Sequence, residues 1–285
     1  MKKYVLSIDA GTTGVTLLLF NKNLNIKGKE YAELNQIYPK PTWVEHDPIE
    51  LIKKIELLFN QIIKKHPIEN IASIGITNQR ESIVVWNKKT GLPIYNTIVW
   101  QCRRTKDYCK ALKDRNKFIF NKTGLYVDSY FSATKIKWIL DNVKGTKNLL
   151  KENLLLCGTI DTWIIWNLTK RTRHLTDHTN ASRTLIYNIN KKKWDDELLR
   201  HIGINQNKLP KLKPYSSFLM NLDSDFSKRW DILKNIPFFL PIGDGAASHI
   251  GSGCTSANHI SLSIGTTGAM RVLLNSFNKR IPKGL

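Results

Sequence analysis

Apolar and polar positions along this chain fall first into short runs and then into a longer period. Residues 4–8, 15–20 and 26–33 read as three strands in succession. The spacing then changes. Asp47 is placed to cap a helix and Pro48 suits its first position, and Ile52, Ile55, Phe59, Ile62 and Ile63 recur at helical spacing until His66-Pro67 stops the run. Residues 71–77 form a short apolar run that predicts a buried strand. Residues 82–86 and 93–95 flank the turn Lys88-Lys89-Thr90-Gly91 and predict a hairpin, with 98–101 as a further strand. Helices are predicted over 104–114, over 134–142, over 162–168 behind a cap at Asp161, and over 194–202, where Asp195-Asp196 supply the negative charge a helix start favours. Residues 238–242, 259–264 and 270–274 read as strands again. Three strands, a helix, a strand and a helix, followed by further alternation, define an α/β chain.

Candidate chemistry first appears between the first two strands, in D-A-G-T-T-G from Asp9 to Gly14. Gly11 and Gly14 allow the backbone to bend sharply and approach a ligand closely. Thr12 and Thr13 supply hydroxyls beside backbone N–H groups, a combination that suits phosphate. Asp9, at the end of the strand, could hold Mg²⁺ through water, since Mg²⁺ keeps much of its hydration. The same six residues also suit an ordinary hairpin with a polar turn. Near the other end, Ile264-Gly265-Thr266-Thr267-Gly268 repeats the strand-turn-strand pattern, which suggests an internal duplication.

Composition narrows the class. At 285 residues the chain exceeds one typical domain, and its 41% apolar content fits a globular protein. Lys and Arg number 44 against 23 Asp and Glu, a net charge of +21. Such a balance raises nucleic-acid binding, but the lysines are scattered beside Asn and Ile, and no basic helix or aromatic RNA-binding motif accompanies them, so no nucleic-acid partner is expected. Cys102, Cys109, Cys157 and Cys254 lack C-x-x-C spacing and read as reduced thiols in a cytoplasmic protein. No run approaches the ~20 apolar residues of a membrane span. No H-E-x-x-H or comparable zinc pattern is present, nor a G-x-x-x-x-G-K-[ST] loop. Lys135 and Lys137, two apart on one predicted helix, read as solvated rather than as phosphate contacts.

Five segments resemble glycerol kinases, in the sugar-kinase branch of the actin/hexokinase-like ATPases. They are D-A-G-T-T at Asp9; W-V-E-H-D-P at Trp43; G-I-T-N-Q-R-E at Gly75, continuing to N-T-I-V-W-Q-C-R-R at Asn96; T-G-L-Y-V-D-S-Y-F-S-A-T-K at Thr123; and G-T-I-D-T-W-I-I-W at Gly158 with T-D-H-T-N-A-S-R-T at Thr176. The resemblance implies an actin/hexokinase-like (ribonuclease H-like) lobe, a mixed sheet flanked by helices, over residues 1–249. Residues 250–285 would then begin a nucleotide-binding lobe that is incomplete here, so little turnover is expected of the chain alone. The implied activity is ATP-dependent phosphorylation of glycerol to sn-glycerol 3-phosphate with Mg²⁺, in the cytoplasm, and a homo-oligomer is compatible with it.

Site residues follow from the same resemblance. A small triol must be recognised through hydrogen bonds, and charged partners make the stronger ones. Arg80 would donate to its hydroxyls, Glu81 accept from them and Tyr130 donate, with Trp100 as an apolar wall. Asp244, in P-I-G-D-G-A-A, matches the family's catalytic base and also touches substrate. Asp9, Gly11, Thr12, Thr13, Gly265 and Thr266 would handle Mg²⁺ and phosphate. Taken singly, Arg80 and Glu81 also read as a surface ion pair, Trp100 as core and Asp244 as a helix cap. After about Pro237 the chain departs from the glycerol kinase pattern. Gly245-Ala246 stand where Gln-Gln is usual, and Ala269 where an aromatic closes the site. That stretch looks more like gluconate- or pentulose-type kinases, which leaves a gluconate or ketopentose kinase, or a catalytically silent binding module, as alternatives.

Overall fold

The computed structural model describes residues 3–66, 70–220, 235–264 and 268–274. The chain divides into two compact units, Met1–Gly243 and Asp244–Leu285. The first contains β1 (Tyr4–Ala10), β2 (Gly14–Asn21), β3 (Ile26–Glu33), β4 (Glu45–His46), α1 (Pro48–Lys65), β5 (Ile71–Asn78), β6 (Ile83–Asn87), β7 (Thr97–Ile98), α2 (Lys106–Ala111), α3 (Asn116–Thr123), α4 (Ser132–Asn142), α5 (Thr146–Lys151), β8 (Leu155–Thr159) and α6 (Ile160–Leu168). It continues through β9 (Leu175–Asp177), α7 (His178–Ala181), β10 (Tyr187–Asn188), β11 (Lys193–Trp194), α8 (Asp196–Ile202), β12 (Lys211–Lys213), β13 (Phe218–Leu219), β14 (Phe238–Phe239) and β15 (Ile242–Gly243). The second unit holds α9 (Asp244–Gly251) and the antiparallel pair β16 (Ile260–Ile264) and β17 (Gly268–Val272).

The main sheet is mixed and runs β13-β14-β5-β1-β2-β3, with β15 also on β5. β1, β2 and β3 form an antiparallel meander, while β5 lies parallel to β1, β14 and β15. Alternation along β1 buries Leu6, Ile8 and Ala10 and leaves Asp9 exposed. The buried row packs with Leu51, Ile55, Leu58, Phe59 and Ile62 of α1 and with Trp163 and Ile164 of α6. A second sheet, β4-β7-β6-β8, lies between this core and another. Val84 and Trp86 of β6 face the first core, Ile83 and Val85 the second. Burial on both faces explains the unbroken apolar run Ile83–Trp86.

Helix α1 begins as the sequence predicts. The Asp47 carboxylate accepts from Ile49 N at 2.8 Å, Pro48 follows, and Lys64 and Lys65 occupy the last turn. Asp47→Ala is expected to lower stability by about 1 kcal/mol, read from urea unfolding midpoints. An unchanged midpoint would show that packing against the sheet alone holds this helix end.

Other elements differ from expectation. Asp161 is not a cap: α6 starts two residues earlier than expected, at Ile160 behind Thr159, and the fully buried Asp161 carboxylate accepts from the Thr159 and Thr176 hydroxyls. Burial, partly opposed by those hydroxyls, raises Asp161 to about 7. The helix expected over 104–114 shortens to α2, with a separate single turn at Lys113–Arg115, and the Arg104 side chain, ahead of α2, pairs with buried Glu45. Trp194 belongs to β11, its indole donating to Pro210 O, and α8 starts behind an Asp195 cap. The hairpin after β6 reduces to a single bridge between Trp86 and Pro93. Among the described residues no helix is long and apolar enough to cross a membrane.

Candidate active site

Side chains beneath the turn between β1 and β2 fix its peptide planes. Gly11 N donates to Gly14 O at 3.0 Å and Leu34 N to Thr13 O at 3.0 Å. Gln79 Nε2 donates to Gly11 O at 3.1 Å, and Gln36 Nε2 to Thr12 O at 2.9 Å. With these carbonyls tied into the protein, the turn presents an anion with hydroxyls and N–H groups. Neither Gly11 nor Gly14 takes a positive φ. A Cβ on Gly14 would stand 2.6 Å from Ala32 O and the Tyr31 ring, so this glycine lets β2 pack closely on β3. Asp9 sits beside the turn, its Oδ1 3.9 Å from where a Cβ on Gly11 would lie. Among the described residues no group of three or more His, Cys, Asp or Glu gathers to hold a metal. A Mg²⁺ ion at Asp9 would therefore draw most of its ligands from water and phosphate, as this hard ion commonly does.

His46 links the two glutamines. Its Nε2 lies 2.9 Å from Gln36 Oε1 and its Nδ1 3.5 Å from Gln79 Nε2. Burial lowers His46 to about 4. The ring is thus neutral near pH 7, donating from Nε2 to the Gln36 carbonyl and accepting at Nδ1, as the two amide orientations require. His174, packed edge-on to Trp86 and Trp166, is also lowered to about 4 by burial. In both cases the unfolded chain takes up a proton near pH 6.5 while the folded chain resists until about 4. Each ring's contribution to stability is therefore complete above pH 6.5 and falls as pH drops toward 4, by about 3 kcal/mol for each ring at ~1.4 kcal/mol per pKa unit, while Asp161, raised to about 7, acts in the opposite direction over the same range. Urea unfolding of the wild type and of His46→Gln at pH 7 and pH 4.5 tests this: the wild type should lose more stability, or gain less, than the variant between the two pH values. The same pH dependence in both proteins would contradict it.

Trp100 ties the turn to the residues expected to hold a polyol. Its indole Nε1 donates to Thr12 Oγ1 at 2.8 Å, and its backbone N donates to Ser82 Oγ at 3.1 Å. Ser82 Oγ in turn donates to Gln79 Oε1 at 2.8 Å. The Trp100 and Tyr130 rings stand 5.4 Å apart. Glu81 is not a surface residue. It is 1% exposed, and its Oε1 accepts from Arg183 Nε at 2.7 Å. The Arg183 guanidinium lies 5.9 Å over Tyr130 and 5.0 Å over Phe131. Arg80 lies across Gly243, where a Cβ would stand 2.4 Å from Arg80 Cδ. Thr12, Trp100, Tyr130, Arg183 and Glu81 thus form one contiguous series.

Lys135 and Lys137 part ways. Lys137 pairs with Asp141 at 2.8 Å on the surface of α4. Lys135 is fully buried and donates to backbone carbonyls instead of meeting solvent or phosphate. Burial pulls it down to about 7, with the Glu81 carboxylate opposing.

In the second unit Asp244 is the first residue of α9, with Oδ1 accepting from Gly245 N at 2.6 Å. It stands within the helix start rather than ahead of it as a cap. Gly265 and Thr266 lie outside the described residues. Sequence reasoning assigned no role to Arg183, Gln36 or Gln79, or to the backbone contacts of Lys135. Arg183 and Glu81 are 102 residues apart, and no local pattern marks such a pair.

Comparison with known proteins now bears on this arrangement. The pattern defining the FGGY family of carbohydrate kinases, N-terminal domain, matches residues 4–251. A glycerol kinase of Clostridium botulinum is 46% identical over 99% of this chain, which spans 56% of that protein's length. The crystal structure of Plasmodium falciparum glycerol kinase with ADP superposes with a TM-score of 0.87 at 34% identity, over 94% of this chain and 53% of that one. A gluconate kinase from Lactobacillus acidophilus superposes with a TM-score of 0.86 at 25% identity, over 95% of this chain and 54% of that one.

Proposed function

The chain belongs to the FGGY family of carbohydrate kinases, and from that premise we propose that it carries the polyol- and phosphate-binding part of a cytoplasmic kinase that phosphorylates glycerol. The observation that carries this reading is the series from Thr12 through Trp100 and Tyr130 to Arg183 and Glu81. It joins a turn suited to phosphate directly to a group of polar and aromatic side chains suited to an uncharged triol. Residues 1–249 act as the kinase lobe, and 250–285 open a nucleotide-binding lobe.

Glu81, held by Arg183, accepts from one substrate hydroxyl, Arg80 and Tyr130 donate to others, and Trp100 lies against the carbon chain. Asp244 follows Gly243, the residue Arg80 lies across, and takes the proton from the attacking hydroxyl as its oxygen bonds to the transferred phosphorus and the bond to the leaving ADP breaks. ATP with Mg²⁺ supplies the phosphoryl group and the countercharge, and Asp9, Thr12, Thr13, Gly265 and Thr266 are the residues that would hold them. In this chemistry positioning and electrostatic stabilisation provide nearly all the acceleration.

A gluconate or ketopentose kinase is the second reading. It is favoured by Gly245-Ala246 and Ala269 and by the likeness to a gluconate kinase. ADP release measured with glycerol, gluconate and xylulose separates the two. In the chain joined to a complete nucleotide-binding lobe of a relative, glycerol-dependent release that Asp244→Asn abolishes is expected, and a preference for gluconate would overturn the glycerol assignment.

A further inference from the structure

Glu81 has a backbone φ of 63°, a left-handed conformation that is uncommon for a residue with a side chain. Strain of this kind persists only where neighbours over-determine it. Here the neighbours come from the first turn of α4. Ser132 Oγ donates to Glu81 O at 3.0 Å, and Lys135 Nζ reaches the same oxygen at 3.4 Å. The ammonium also donates to Phe131 O at 3.2 Å and to Tyr130 O. A lysine ammonium has three N–H donors, and here three carbonyls from two separate segments converge on it.

We propose that Lys135 is a positioning residue that locks the Arg80–Glu81 turn to the Tyr130–Phe131 segment and so sets the spacing between the two sides of the polyol site. The significance for substrate rests on the polyol reading above; the clamp itself rests on the three carbonyls. A buried lysine kept only for packing could be exchanged for methionine, which has a similar length and no charge. A clamp could not, because its loss takes one donor from each of three carbonyls, removes the link between their two segments and leaves the Glu81 turn tied to α4 through Ser132 Oγ.

Lys135→Met tests this through two readouts on the intact chain. The first is amide hydrogen exchange. Faster exchange confined to residues 79–82 and 129–133, with the rest of the sheet and α1 protected as in the wild type, is expected; uniform loosening, or none, would overturn the clamp. The second is glycerol affinity by calorimetry, expected to weaken by about tenfold or more, as loss of a hydrogen bond to a charged group commonly gives. Wild-type binding of glycerol with K135M binding equally well would overturn the proposal. If the wild type binds no polyol but exchange still rises locally in K135M, the clamp stands and the polyol reading fails. Should K135M not fold, Lys135→Arg keeps the charge with a planar geometry that cannot meet all three carbonyls. It is then expected to show the same local exchange and weakened affinity, and wild-type behaviour in both would overturn the clamp.

Discussion

Replacing Arg104 with methionine is expected to destabilise the first unit by about 3–5 kcal/mol, the cost of leaving a buried carboxylate without its partner. Arg104 Nη2 lies 2.6 Å from Glu45 Oε1, and the two side chains are 0% and 2% exposed. Tyr95 Oη and Asn96 Nδ2 also donate to the Glu45 carboxylate, each at 2.8 Å. The guanidinium carbon sits 4.0 Å over the Trp43 ring and 4.7 Å over that of Trp138. Lysine would lose both the planar stacking and the forked donors, so Arg104→Lys should recover little. Removing both charges, as in Arg104→Met with Glu45→Leu, should recover more than Arg104→Met alone. Urea unfolding monitored by tryptophan emission measures all three. The effect should reach the candidate site, because Glu45 and His46 together form β4 and His46 holds the glutamines under the phosphate turn. An Arg104→Met variant within about 1 kcal/mol of the wild type would show that the aromatic packing, not the ion pair, sustains this corner.

Glu81→Gln is expected to weaken polyol binding by at least about thirtyfold, or ~2 kcal/mol, with a smaller effect on stability. The substitution keeps shape and volume, removes the charge and turns one accepting oxygen into an NH2 donor. Two interactions weaken together: the ion pair to Arg183 and the charged acceptor for a substrate hydroxyl. Arg183 retains a 27% exposed side chain, so solvent softens the cost to the fold. Calorimetry with glycerol reads the affinity, and thermal unfolding reads the stability. A variant that binds as the wild type does would remove Glu81 from the site.

How much of this was legible in the sequence depended on how local each cause is. The helix α1 could be read completely, because cap, proline and apolar stripe lie within one stretch from Asp47 to His66. The meander of β1, β2 and β3 was equally local. Elements tied to distant partners were misread. The helix expected from Arg104 begins at Lys106, and Arg104 itself pairs with Glu45, 59 residues earlier. Asp161 looks like a cap only until Thr176, 15 residues on, is seen to share it. The site divides in the same way. Thr12, Glu81, Trp100 and Tyr130 were named from motif resemblance, and they do come together. The supports beneath them, Arg183, Gln36, Gln79 and Lys135, act through contacts between segments, and the strained φ of Glu81 has no counterpart in residue type. A buried lysine in the first turn of α4 is indistinguishable in sequence from its solvated neighbour Lys137.

The most direct test of the polyol reading is titration calorimetry of the chain with glycerol, gluconate and xylulose under one set of conditions. Saturable binding of glycerol that Glu81→Gln removes, with weaker or absent heats for the other two, is the predicted result. Tighter binding of gluconate or xylulose than of glycerol, or glycerol binding that survives Glu81→Gln, would contradict it.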